Sequence, residues 1–163
     1  MKGIRVKSAY LSVIQMIERL HRQCLELVKS ELEREGIRDL NNVQALILFN
    51  VGEETLTVGE LTQRGYYLGS NVSYNVKKLV EHGYLTQERS PHDRRAIHVK
   101  ASDKGLAICR RIGDLFDRHC DEMTEFGLDE GELLGASDTL SRLLRYWSAP
   151  RHLSASGRLQ AVS

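Results

Sequence analysis

The sequence predicts a mainly α-helical chain with one small β-hairpin, and three observations carry that expectation. Only two prolines, Pro91 and Pro150, interrupt 163 residues, so long helices can run unbroken. Apolar residues recur at spacings of three and four from Leu11 to Leu32, the repeat of a helix with one apolar face, and a second apolar-rich run extends from Leu133 to Trp147. Between them, two β-rich runs, Tyr84–Ser90 and Ala96–Lys100, flank the polar tip Ser90-Pro91-His92-Asp93-Arg94-Arg95. Pro and Asp favour a tight reversal there.

The first helix is expected over residues 8–35, with Leu11, Ile14, Ile17, Leu20, Cys24, Val28 and Leu32 on one stripe and Gly36 as its stop. A stripe of that length exceeds what a domain of this size covers by itself. The basic start, Lys2, Arg5 and Lys7, reads as a frayed terminus rather than an arm that touches phosphate. NNVQALILF opens a second helix. Thr57 and Glu60 form a T-x-x-E capping box, so a third should run from Val58 to about Arg64 and stop at Gly65. After a short connection, Ser70 is a suitable N-cap for a fourth helix ending at Gly83. Beyond the hairpin, a helix should run over residues 102–126 until Gly127 breaks it. Asp129 with Glu132 then opens a last helix through Leu133, Leu134, Leu140, Leu143, Leu144 and Trp147. The expected organisation is one domain over residues 1–149, with a module at 40–101, a connecting helix at 102–126 and helices at 8–35 and 129–147 that pack between subunits as dimerisation helices, an internal helical bundle being the alternative. The Ser-, Ala- and Gly-rich tail, residues 150–163, is expected to be disordered.

Two short helices joined by a turn and followed by a hairpin follow the winged helix-turn-helix order. On the helix that Ser70 opens, Val72, Val76, Leu79 and Val80 should face the core. At about 100° per residue, Ser70, Tyr74, Lys77 and Lys78 point the other way, with Asn71, Ser73 and Asn75 on the flanks. Hydroxyls, amides, a phenol and lysines on one face are the groups that bond base edges and phosphates in a major groove. The paired arginines of the tip, Arg94 and Arg95, suit a phosphate backbone, because guanidinium stays charged and bonds in a bidentate way. A solvated hairpin with charged gatekeepers is the alternative for the tip alone. Helix and tip together point to double-stranded DNA as the partner.

Charge distribution agrees. The chain carries a net charge of only +1, yet residues 64–104 hold eight Lys and Arg against four Asp and Glu, leaving the remainder at −3. A basic module on an acidic body directs DNA to one face. No signal peptide or run of membrane-spanning length is evident, which makes a soluble, cytoplasmic protein the expectation.

Enzymatic chemistry finds no support: there is no glycine-rich phosphate loop, paired-histidine metal helix or nucleophile elbow. No cofactor or metal is expected. Cys24, Cys109 and Cys120 lack C-x-x-C spacing, and each falls at a helix position that suits a buried structural thiol. His82, His92 and His98 lie near the hairpin without zinc-site spacing, and read as solvated loop residues.

From about Leu40 to Leu106 the chain resembles the multiple-antibiotic-resistance regulator (MarR) family of winged-helix transcription factors. The resemblance lies in NNVQALILF, LTVGELTQR, SNVSYNVKKLVEHGYL, the wing SPHDRRAIHV and the helix start ASDKG. It implies a homodimer on a palindromic operator, with the fourth helix of each subunit in a major groove and each wing near a minor groove. It implies that Asp93 orients a wing arginine and that Arg94 or Arg95 reaches the minor groove. It also implies repression by occupying a promoter, released by a small aromatic or phenolic ligand. Such a ligand would sit between the dimerisation helices and the DNA module, here walled by Leu20, Cys24, Val43, Ile47 and Tyr66. The sequence departs from the family at Tyr74, where an arginine is frequent, and at Ala101-Ser102, where a leucine–threonine pair is frequent. Two alternatives stay open: a winged-helix module that binds an acidic protein, and a regulator that senses oxidants through Cys24 of the first helix.

Overall fold

A computed structural model describes residues 2–64, 69–89 and 97–149. Its elements run α1 (Lys2–Arg34), α2 (Asn42–Val51), β1 (Thr55–Thr57), α3 (Val58–Gln63), α4 (Gly69–Glu81), β2 (Leu85–Arg89), β3 (Ile97–Ala101), α5 (Asp103–Phe126) and α6 (Glu130–Trp147). The mainly helical class with a small antiparallel sheet is as the sequence predicts.

Helix α1 starts earlier than expected. The start that reads as frayed is helical from Lys2, because Arg5, Lys7 and Ala9 are strong helix formers and no proline stands among them. At its other end Gly36 takes φ +71°. Its N–H donates to Glu33 O at 3.0 Å, and the Ile37 N–H donates to Leu32 O at 2.9 Å, the paired bonds of a Schellman stop. The same pair closes α4 at Gly83 and α5 at Gly127. Capping boxes open α3 at Thr57 and α6 at Asp129 as expected, and a third, Asn41 with Gln44, opens α2. Helix α4 begins at Gly69, so Ser70 lies one residue inside it rather than at the cap, a shift usual where helix ends fray.

Strand β1 is not foreseen from the sequence: three residues are too few to show a period of two. It pairs antiparallel with β3, which also pairs with β2, giving the order β1-β3-β2. Leu56 lies opposite Val99 and Leu85 opposite Ala101, and all four are buried. The inner face of this sheet joins Val72, Val76 and Leu79 of α4, Ala45, Leu48 and Val51 of α2, Val28 and Leu32 of α1, and Ile108, Ile112 and Leu115 of α5 in one core. That core belongs to the first of two compact units, Met1–Phe116; the second is Asp117–Ser163.

Ser102 holds the start of α5. Its Oγ accepts from the Gly105 N–H at 3.1 Å and donates to Gly83 O at 2.7 Å. Gly105 has no alternative there, because a Cβ would overlap the Tyr84 carbonyl oxygen and crowd Leu48 Cδ1. The last turn of α4 and the first turn of α5 are thus tied at one point.

Of the α1 stripe, only Val28 and Leu32 are buried; Leu11 and Leu20 are exposed, and Ile14, Ile17 and Cys24 are half-buried. Helix α6 buries none of its residues, and Leu134, Leu140 and Leu144 are among its exposed apolar side chains.

Candidate nucleic-acid interface

Helix α4 has two unlike faces. Val72, Val76 and Leu79 are buried, and Val80 packs partly against the same core. Opposite them, Asn71, Ser73 and Lys77 are exposed and Tyr74 retains 60 % of its accessible surface. Sequence reasoning places Asn75 on a flank of that surface, but the structure turns it inward. It is buried, and its Nδ2 donates to Asn71 O at 2.8 Å. The side chain of Ser70, the wing residues Asp93, Arg94 and Arg95, and Tyr66 lie outside the described residues.

The two lysines differ. Lys78 Nζ donates to Glu81 Oε2 at 2.7 Å, and that bond raises its pKa from the ordinary lysine value. Lys77 is 3.9 Å from Glu81 Oε1, with its side chain 76 % exposed against 37 % for Lys78. Lys77 is therefore the more available cation, whereas Lys78 must exchange a carboxylate for any new partner. The i,i+3 spacing to Glu81 is visible in the sequence.

Beside this face, a groove of about 630 Å³ is lined by Thr57, Val58 and Gly59, by Ser73, Val76 and Lys77 of α4, and by Gln87 and Ile97 of the wing strands. It opens where the inner face of the sheet runs out towards the tip and Gln87 replaces an apolar side chain. The Thr57 hydroxyl already serves α3, accepting from the Glu60 N–H and donating to Glu60 Oε2.

Glu54 and Arg64 brace the helix-turn. Arg64 donates to both Glu54 carboxylate oxygens, at 3.0 and 2.6 Å, tying the end of α3 to the start of β1. Those bonds hold the Glu54 carboxyl below its ordinary pKa.

The residues expected to wall a ligand pocket, Tyr66 apart, differ in burial. Ile47 belongs to the core, Val43 and Cys24 are half-buried, and Leu20 is 58 % exposed. Further expectations concern the cysteines and His82. Cys120 is exposed rather than buried, because the buried stripe of α5 ends at Leu115. Cys109 is half-buried and its Sγ lies 3.3 Å from Leu48 O, with burial pushing its pKa up. His82 is exposed in the turn after α4, as expected, and its Nδ1 lies 2.7 Å from Asp39 O. Among the described residues no cluster of His, Cys, Asp or Glu could hold a metal ion, and no helix is long and apolar enough to cross a membrane.

A sequence model of the MarR family matches residues 38–96, the span from the α1–α2 connection to the wing. The exopolysaccharide II synthesis transcriptional activator ExpG of Rhizobium meliloti (strain 1021) is 33 % identical over 138 residues, covering 85 % of this chain and 71 % of ExpG. The chain belongs to the MarR family. As a MarR-family protein it is a winged-helix transcriptional regulator, with α3 and α4 as the helix-turn-helix and β2–β3 as the wing. Among the solved structures that share its fold are two in complex with DNA. One is FabT of Streptococcus pneumoniae in complex with DNA, with a TM-score of 0.65 and 20 % identity over 84 % of this chain and 96 % of that one. The other is a mutant MarR from E. coli complexed with operator DNA, with a TM-score of 0.67 and 19 % identity over 83 % of this chain and 96 % of that one.

Proposed function

We propose that this MarR-family regulator binds a palindromic operator as a homodimer, with α4 of each subunit in a major groove. The exposed Asn71–Ser73–Tyr74–Lys77 surface, on a helix whose opposite face is locked into the core, carries this reading. In it Asn71, Ser73 and Tyr74 meet base edges, while Lys77 and, after leaving Glu81, Lys78 meet phosphates. Arg94 or Arg95, oriented by Asp93, supplies the wing contact. Asn75 is withdrawn from this set, since its amide is committed to Asn71 O.

Pairing of subunits is supported by the two helices that leave apolar side chains exposed. Leu11, Met16 and Leu20 on α1, and Leu134, Leu140 and Leu144 on α6, have no cover in their own units. Two-fold pairing matches a two-fold operator and doubles the contacts. A small-molecule effector bound between the paired helices and the DNA module remains part of this reading, with Leu20 and Cys24 on the side a partner would complete.

Selection of duplexes from a random pool by the full-length protein tests the reading. An enriched imperfect palindrome with two half-sites about one helical turn apart is expected. Uniform recovery of all sequences would reject it. A second reading concerns the sign of regulation. Occupying a promoter gives repression, but the 33 % identical relative is named as an activator, which favours activation. A reporter behind the selected site, with and without the regulator, separates the two.

A further inference from the structure

Asp39 lies in the connection between α1 and α2, and three of its atoms hold three residues from another part of the fold. Oδ1 accepts from Tyr84 Oη at 2.7 Å, and Oδ2 accepts from Lys104 Nζ at 2.9 Å. Its backbone oxygen lies 2.7 Å from His82 Nδ1. Lys104 also donates to His82 O at 3.0 Å, and its Nζ stands 3.8 Å from the centre of the Tyr84 ring. His82 follows α4, Tyr84 precedes β2 and Lys104 sits in the first turn of α5. All three therefore converge where the DNA-reading helix gives way to the wing. Ser102 clamps the same turn from α5 through Gly83 O and Tyr84 O.

We propose that Asp39 is a positioning residue for DNA reading, fixing the exit of α4 and the root of the wing against the corner that joins α1 to α2. The inference rests on the DNA-binding reading above. Asp39 lies on neither the α4 surface nor the wing, so it acts through its partners alone. With Asp39 and Lys104 each about half exposed, water can solvate either group when the other is removed. Their pair then adds little to global stability. Geometry is what it supplies: the two bonds hold the Asp39 carboxyl below its ordinary pKa, through Tyr84 first and Lys104 second. Without it, α4 and the wing root keep their own structure but gain freedom to swing about Gly83.

Charge and geometry act in opposite directions here, which makes the test sharp. Asp39→Asn removes a negative charge, and electrostatics alone tightens binding to any duplex. Loss of position weakens only the duplex that the wild type selects. Affinities of full-length wild type, D39N, K104M and the double variant are measured on the selected duplex and on a scrambled version of it, with thermal melting alongside. D39N is expected to bind the selected duplex about three- to thirty-fold more weakly, the range for residues that modulate a site they do not touch. Its scrambled-duplex affinity should be unchanged or higher. K104M, which keeps an apolar stem on Tyr84, loses a positive charge and so weakens both duplexes somewhat, but should lose more on the selected one, and discrimination in the double variant should fall no further than in either single change. Equal loss on both duplexes, as partial unfolding gives, would overturn the inference. So would unchanged discrimination in D39N, or additive losses of discrimination in the double variant. A wild type that selects no duplex rejects the DNA-binding reading instead.

Discussion

The prediction at Tyr74 is quantitative: the side chain is 60 % exposed at the outward centre of α4, so most of its ring is available to a partner. An aromatic side chain can bury about 150–250 Å², which leaves on the order of 100 Å² for a base-pair edge. At about 25 cal/mol per Å², that area is worth roughly 2–3 kcal/mol before the cost of ordering the side chain. Tyr74→Ala should therefore weaken operator binding by roughly 1–3 kcal/mol and relax preference at one base pair per half-site. Tyr74→Phe keeps the ring, which packs on a thymine methyl, and loses one hydrogen bond at most, about 1 kcal/mol.

Lysine changes should read differently on the same duplexes. Lys77→Ala should weaken all sequences about equally and reduce the salt slope by about one. Lys78→Ala should do less, because Lys78 already holds Glu81 at 2.7 Å. Binding series over single-base operator variants, repeated at several salt concentrations, separate these effects. If Tyr74→Ala leaves the preference profile intact while Lys77→Ala reshapes it, the reader and the clamp are reversed and the reasoning from exposure fails.

Replacing both Arg94 and Arg95 with alanine should weaken selected and scrambled duplexes by a similar factor and flatten the salt dependence by about 0.9 for each phosphate left without its arginine; a folded double variant with unchanged slope would remove the wing from the interface. Deleting the first fifteen residues, or placing a charge at Leu140 or Leu144, should give monomer or unfolded chain in sedimentation experiments, since obligate dimers often have no stable folded monomer. A folded, monomeric full-length protein at micromolar concentration would contradict that pairing. Gly105→Ala should destabilise by about 1–3 kcal/mol or more in urea titrations, as overpacking does, because its Cβ overlaps the Tyr84 carbonyl; wild-type stability would mean that α5 starts elsewhere. Burial raises the Cys109 pKa and so reduces thiolate at neutral pH, hence iodoacetamide should label Cys109 slowly in the folded protein and rapidly after unfolding. Fast labelling of the native form would show that this region opens.

What can be read from the sequence, and what cannot, follows the range of the interactions. Capping boxes at Thr57 and Asp129, and glycine stops at Gly36, Gly83 and Gly127, depend on residues three to five positions apart, and they stand where local spacing puts them. Asn75 is equally legible: at about 100° per residue it falls within roughly 60° of Val72 and Leu79, on the buried side, and only its polarity argues for a flank. The Asp39 cluster joins residues 45 and 65 positions apart in the chain, beyond any periodicity. Strand β1 needs β3 beside it to exist at all. Leu20 and Ile47 show the same boundary from another side. Both lie on apolar faces of helices, yet one is 58 % exposed and the other 3 %. Periodicity identifies which face of a helix is apolar; what covers that face is decided by other elements or by other chains. The surface proposed to read DNA is legible because the two faces of α4 define it, whereas the pocket proposed for an effector depends on how helices assemble.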